Sequence, residues 1–196
     1  LNSDQAFKIF AFTNKKHSEV GWFYPSASST DIDRYVIYNY ADNVWYYGQL
    51  NRTAWLDSGV QPYPQAASSN YVFQHEIGFD DDGSEMTNVF IESADFDIGD
   101  GEQYSFVRRI IPDIKFLDTD TASNVNLITK TRNFPGDSLT TAATSNVTPS
   151  TKQSHIRARG RQAVLRIASN DSNSGNVGVG WRLGSTRLDI KADGKR

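Results

Sequence analysis

An all-β fold of antiparallel sheets is predicted by three observations. Aromatic and β-branched residues alternate through Trp22–Asp57, no long segment spaces its apolar residues like a helix, and turn-forming clusters punctuate the chain at near-regular intervals. The finer expectation is one or more propeller-type blades followed by a β-sandwich-like C-terminal region. Residues 1–57 form the blade-like hairpin region, 58–70 a linker, and 71–196 the antiparallel C-terminal part.

The first strand-like segment is Ala6–Phe12, close behind Leu1, and it suggests entry into an existing sheet with an N-terminal portion of the protein preceding it. Asp33–Tyr40 and Val44–Gly48 then favour a pleated backbone on either side of the break at Ala41-Asp42-Asn43, so they read as a β-hairpin. With the continuation to Leu56 this unit presents Trp45, Trp55 and five tyrosines, among them Tyr38. A hairpin this aromatic needs other sheets packed against it, from this chain or another copy.

Two prolines among small and polar residues mark 58–70 as a connection, and the Thr- and Ser-rich stretch 138–151 reads as a second flexible loop at an interface. Further strands are expected at 71–79, 87–93, 104–116, 124–131, 154–168 and, in two pieces, 177–190. Turn signals separate them at 80–84, 98–101, 134–137 and 170–176. The hairpin pattern does not return, so one blade at most is visible.

At 196 residues, 12% of them aromatic, the chain is long enough for a sizeable core. No apolar run approaches the roughly 18 residues of a membrane-spanning helix, and no charged-then-apolar leader opens the sequence, so neither span nor signal peptide is expected. Cysteine is absent, which excludes disulfides and thiolate metal sites within this sequence. That fits assembly in a reducing cytoplasm followed by exposure outside. The sequons at Asn51 and Asn146 are short enough to arise by chance.

Charge is unevenly spread. The net charge is −3, but residues 1–100 hold 5 Lys/Arg against 15 Asp/Glu, whereas 101–196 hold 15 against 8. This split suggests two faces with different partners, or head-to-tail packing between copies, against the plainer reading of an unevenly charged solvated surface.

The segments Trp22–Ser26, Asp33–Tyr40, Val44–Gly48 and Arg52–Trp55, with His75–Gly78, Phe96–Gly101, Arg108–Asp113 and Gly180–Gly184, resemble virion proteins of short-tailed bacteriophages and prophages. The resemblance covers nearly the whole chain. The relatives it resembles look like the tail nozzle, also called the head-to-tail or packaged-DNA stabilisation protein, in its C-terminal portion. It implies a ring, hexameric in the family, placed in the virion tail and assembled in the host cytoplasm. Portal or adaptor and other tail proteins would be its neighbours, and double-stranded DNA would pass through its lumen. No cofactor and no membrane contact are implied.

Arg157, Arg159 and Arg161 recur at period two, so a regular strand would project them from one face, and Arg108, Arg109 and Arg182 add to the row. Such a row contacts phosphates in a channel or, more commonly, pairs with an acidic strand or subunit. No catalytic residues are assigned: His17, His75 and His155 stand in no hydrolase motif, and His75 and Glu76 at adjacent strand positions would face opposite ways. Acidic pairs such as Asp31 with Asp33 sit at ordinary turns. Asp95, Asp97 and Asp100, like the cluster 80–85, offer oxygen ligands suited to calcium but lack the full loop spacing. The competing function is a receptor- or glycan-binding tail module, because exposed Trp and Tyr stack on sugars. A hydrolase with two carboxylates across a cleft is the third.

Overall fold

The computed structural model describes residues 1–99, 101–117, 123–170 and 179–195, and divides the chain into two compact units, Leu1–Ile77 and Gly78–Arg196. All its sheets are antiparallel.

In the first unit the chain opens with a 3-10 segment, Ser3–Lys8, and not with the strand expected from Ala6. The Asp4 N–H donates to Asn2 Oδ1 (3.1 Å), and Lys8 Nζ ties the segment's end to the Thr30 carbonyl (2.7 Å). The Asn2 cap is local, and a side chain that binds the backbone two residues on favours a turn over an extended strand. Four strands follow: β1 (Phe10–Asn14), β2 (Glu19–Tyr24), β3 (Arg34–Asn39) and β4 (Val44–Gln49). They pair as a meander in sequence order. The β3–β4 hairpin closes where Asn39 Oδ1 accepts the N–H groups of Ala41 and Asp42, each at 3.0 Å, and Asn43 takes a positive φ of 57°.

Alternation divides this sheet into two faces. Phe12, Phe23 and Ile37 lie on the buried face with Phe10 and Tyr35 packed against them, and Ile32 and Trp55 complete the core. Gly21 stands opposite Phe12 and Gly48 opposite Tyr35. A Cβ at Gly21 would come 2.5 Å from the Phe12 ring, so the missing side chain makes room for the aromatic across the strand.

A three-stranded sheet of β5 (Ala54–Leu56), β6 (Gln65–Ser68) and β7 (Tyr71–Gln74) completes the unit. Strand β6 lies inside the stretch read as linker and is paired on both edges. Its small residues let Ala66 pack out of solvent (2% exposed), so the composition that resembles a linker serves a tight interior position. The division between units accordingly falls after Ile77, not across 58–70.

The second unit contains β8 (Phe90–Glu92), β9 (Ser105–Ile111), β10 (Ile114–Phe116), β11 (Val125–Arg132), β12 (Thr140–Val147), β13 (Ser154–Gly160), β14 (Gln162–Ser169), β15 (Trp181–Leu183) and β16 (Arg187–Ala192). One sheet has the order β12-β11-β14-β8, a second β13-β9-β16, and β10 pairs with β15. The run expected as one strand over 104–116 breaks at Pro112, which lacks the N–H a ladder needs. The run over 154–168 breaks at Gly160-Arg161, because β13 pairs with β9 in one sheet and β14 with β11 in the other. The stretch 138–151, read as flexible, supplies β12, paired along β11 from Val147 to Thr140. Threonine's branched Cβ suits a pleated backbone, and that preference outweighs the polar composition. The expected positions 177–178, and 171–176 of the last turn, lie outside the described residues.

Both larger sheets contribute to one core. Val107 and Ile110 of β9 and Ile156 and Ala158 of β13 meet Val125, Leu127, Val147 and Ile167 of the other sheet, with Trp181, Leu183 and Ile190 packed against them. Strand β13 alternates strictly, burying Ser154, Ile156, Ala158 and Gly160 while His155, Arg157 and Arg159 stay exposed.

Candidate functional site

The face of β13-β9-β16 turned away from that core is basic. Cross-strand register places His155 opposite Arg109, Arg159 opposite Phe106, and Phe106 opposite Lys191; Asp189 and Arg187 continue β16 opposite Arg109 and Ile111. Arg108, Arg109, Arg157, Arg159, Arg187 and Lys191 are thereby gathered on three adjacent strands. Asp189 lies 3.7 Å from Arg108 Nε and 3.8 Å from an Arg109 terminal nitrogen, so one carboxylate is shared between two cations.

The predicted arginines fall into distinct environments. Arg159 is ion-paired with Asp193, donates to the Asp193 carbonyl (3.1 Å), and lies 4.0 Å over the Tyr104 ring. Arg161 stands beyond the strand end at Gly160. Its guanidinium donates to the carbonyls of Glu102 (3.1 Å) and Lys195 (3.4 Å) and sits between Tyr104 and Phe134, so it does not extend the row as a third projecting cation. Arg109 donates to Gln153 Oε1 (3.3 Å), while its Nε is buried without a hydrogen-bond partner among the described residues. Arg157 is exposed and has no charged partner among those residues. Arg182 belongs to the small β10–β15 sheet, directly opposite Lys115, with both side chains exposed.

A shallow depression of about 290 Å³ opens on this face, lined by Arg109, Ile111, Arg187, Leu188 and Asp189. Ile111 is the apolar side chain on this face, among the charged Arg109, Arg187 and Asp189, whereas Leu188, opposite buried Ile110, packs against the core. Arg187 and Lys191 were legible in the sequence as the polar positions of the alternating Arg187–Lys191, yet only pairing with β9 places them beside Arg109.

The acidic half of the charge split is partly consumed inside the same unit. Glu92 on edge strand β8 binds Lys130 Nζ (2.6 Å) and Arg166 (3.4 Å), and Asp95 is ion-paired with Arg132. The Lys130 hydrogen bond, against a smaller opposing effect of burial, holds the Glu92 carboxyl below its ordinary value. The guanidinium at Asp95 also occupies one of the carboxylates considered for calcium; Asp97 is exposed, and Asp100 lies outside the described residues. Among the described residues no group of three or more His, Asp or Glu is arranged around a metal position. In the turn 80–84, Asp80 Oδ1 accepts from Gly83 N–H (2.8 Å), and Asp81 and Ser84 exchange backbone bonds, so these acids shape a hairpin turn.

In the first unit, Trp45 and Trp55 have different fates. Trp55 packs 4.7 Å from Phe12 and 4.8 Å from His75, and its Nε1–H donates to the Thr13 carbonyl (2.9 Å). Trp45 is 61% exposed and forms an aromatic ladder with Tyr38 at 4.7 Å and Trp22 at 6.2 Å. Tyr47, on the same side of β4, is 75% exposed.

A polar cluster in this unit leaves no signature in the sequence. Buried Asn14 donates through Nδ2 to both Glu19 Oε2 (3.1 Å) and Glu76 Oε1 (3.2 Å); His17 Nε2 lies 3.3 Å from Glu76, and the Tyr46 hydroxyl donates to Glu19. Burial, and then this bond to a carboxylate, push the Tyr46 phenol well above its ordinary value. His75 turns away from Glu76, accepting through Nε2 from Arg52 Nε (2.9 Å). The cluster joins residues up to 62 apart, for which no sequence spacing gives a signal.

The fold and this face define a two-unit, all-β protein with a basic sheet surface and an exposed aromatic ladder. No family model matches the chain, and no curated protein is significantly similar to it.

Proposed function

We propose that the chain is a structural protein of a short-tailed phage virion, a nozzle-like tail subunit that forms a ring, extends the DNA channel and helps retain and conduct the genome. The observation that carries this reading is the four-stranded meander β1-β2-β3-β4, which has the strand number and order of a propeller blade. Its outer face, with Trp22, Tyr38, Trp45 and Tyr47, gives such a blade an aromatic surface to lay against another. The basic face of the second unit suits the remainder of the role. A few partly neutralised arginines attract a polyanion while leaving it free to move, and they pair readily with an acidic neighbour. No catalytic step is assigned, and the protein would be assembled in the host cytoplasm and reside in the tail.

Electron microscopy of intact particles tests this reading. A ring beneath the portal, with the β13-β9-β16 face at the lumen or a subunit seam, is the expected result. A peripheral, distally projecting position would sink it.

The exposure of Trp45 favours a second reading, a receptor- or glycan-binding tail module, because stacked indole and phenol rings offer a platform for sugar faces. Quenching or shift of tryptophan fluorescence on titration with host surface glycans, abolished in Trp45→Ala, is its test.

A further inference from the structure

The acidic, apolar ribbon 79–91 and the basic face of β13-β9-β16 are different surfaces of one unit, and their chemistries match. Residues 78–99 contain Asp80, Asp81, Asp82, Glu85, Glu92, Asp95 and Asp97 but no Lys or Arg. Within the unit Glu92 and Asp95 are neutralised, whereas Asp81 and Asp82 project into solvent. The same ribbon exposes Phe79, Met86, Val89 and Ile91, each between 39% and 50%. Apolar side chains of this size exposed beside carboxylates mark a contact surface.

The depression on the basic face can receive such a ribbon: Ile111 is its apolar outward side chain, and Arg187 stands on its rim beside Arg109 and the Asp189 carboxylate that Arg109 shares with Arg108. Arg157 and Arg187 are exposed and have no acidic partner among the described residues.

We infer that the occupant of this face is the ribbon 79–91 of a second copy of the chain. One apolar side chain of the ribbon enters the depression, and Asp81 and Asp82 meet Arg157 and Arg187. Because the two surfaces differ, the contact is heterologous and repeats head to tail, as a ring requires. The inference rests on the ring-forming reading above and names the interface it would use.

The test uses the full chain in sedimentation experiments. At about 50 mM salt the protein should self-associate, and at about 500 mM, where screening shortens to a few ångströms, it should revert toward monomer. Arg157→Glu/Arg187→Glu and Asp81→Lys/Asp82→Lys should each raise the dissociation constant about tenfold or more. An equimolar mixture of these two variants should recover association in trans, because one contact then pairs the two reversed patches. The neutral Arg157→Gln/Arg187→Gln should fall between wild type and the reversed form, and thermal melts verify that each variant is folded.

A wild-type chain monomeric at both salts, variants that associate like wild type, or a mixture that fails to recover would each overturn the inference. So would loss of affinity for a duplex oligonucleotide in the arginine variant with self-association unchanged, which would assign the face to DNA. In intact particles, a ring sealed through other surfaces would remove this interface and leave the nozzle reading. Recovery in trans combined with a distal position in the particle would do the reverse.

Discussion

Arg159 is held on two sides: its guanidinium is ion-paired with Asp193 and lies 4.0 Å over the Tyr104 ring, whereas Arg157, two residues earlier on the same exposed face, touches no charged partner among the described residues. Identical residue types at period two have thus been given different work. One secures the C-terminal end of β16 to the start of β9, and the other is free for a partner.

Truncation separates the two roles. Arg159→Ala should cost about 1 kcal/mol, the sum of a half-exposed ion pair and a cation–π contact. Arg157→Ala should stay within about 0.5 kcal/mol. Urea unfolding of both variants measures the difference, and equal losses would contradict the assignment.

The two hairpin-region indoles make a second contrast. Trp55→Ala removes a ring packed on Phe12 and Phe23 and should cost about 2–3 kcal/mol, close to the range for truncating a large core aromatic. Trp45→Ala loses only the ladder with Tyr38 and Trp22 and should cost about 1 kcal/mol or less. Thermal melts give the ranking, and acrylamide should quench Trp45 far more than Trp55.

Glu92 predicts a pH dependence. Its carboxyl is held below the ordinary value near 4.5 by Lys130 and Arg166, so the folded state binds a proton less readily than the unfolded chain. The stabilisation is therefore complete above that value and is lost as pH falls through the depressed folded value. Denaturation between pH 6 and 3 should show a shallower decline in Lys130→Met than in wild type.

Lys115 and Arg182 face each other across β10 and β15 with like charges, both exposed. Arg182→Glu should convert repulsion into a cross-strand pair and raise stability by about 0.5 kcal/mol. An unchanged or lower denaturation midpoint would show that the two side chains avoid each other at no cost.

Much of the strand content was readable because alternation is a local signal. In Asp33–Gly48 the β-branched and aromatic residues, with an Asn-rich break between them, suffice to place β3 and β4. In β13 the period-two pattern assigns Arg157 and Arg159 to one face. The errors arose where composition and context disagree: β12 and β6 are built from Thr, Ser and Ala, which serve loops and close-packed strands alike, and 154–168 looks continuous although Gly160 passes it from one sheet to the other.

The all-β class, the hairpin and the surplus of arginine after residue 100 follow from residue order alone, because backbone preference and side-chain charge are properties of residues and their near neighbours. Which of those charges are spent depends on the folded chain. Glu92 and Asp95 are neutralised by Lys130, Arg166 and Arg132, Arg159 is bound to Asp193, and Arg157 and Arg187 remain available on one basic face. Ion pairing depends on distances of a few ångströms between strands remote in the chain, and those distances are set by sheet register and core packing.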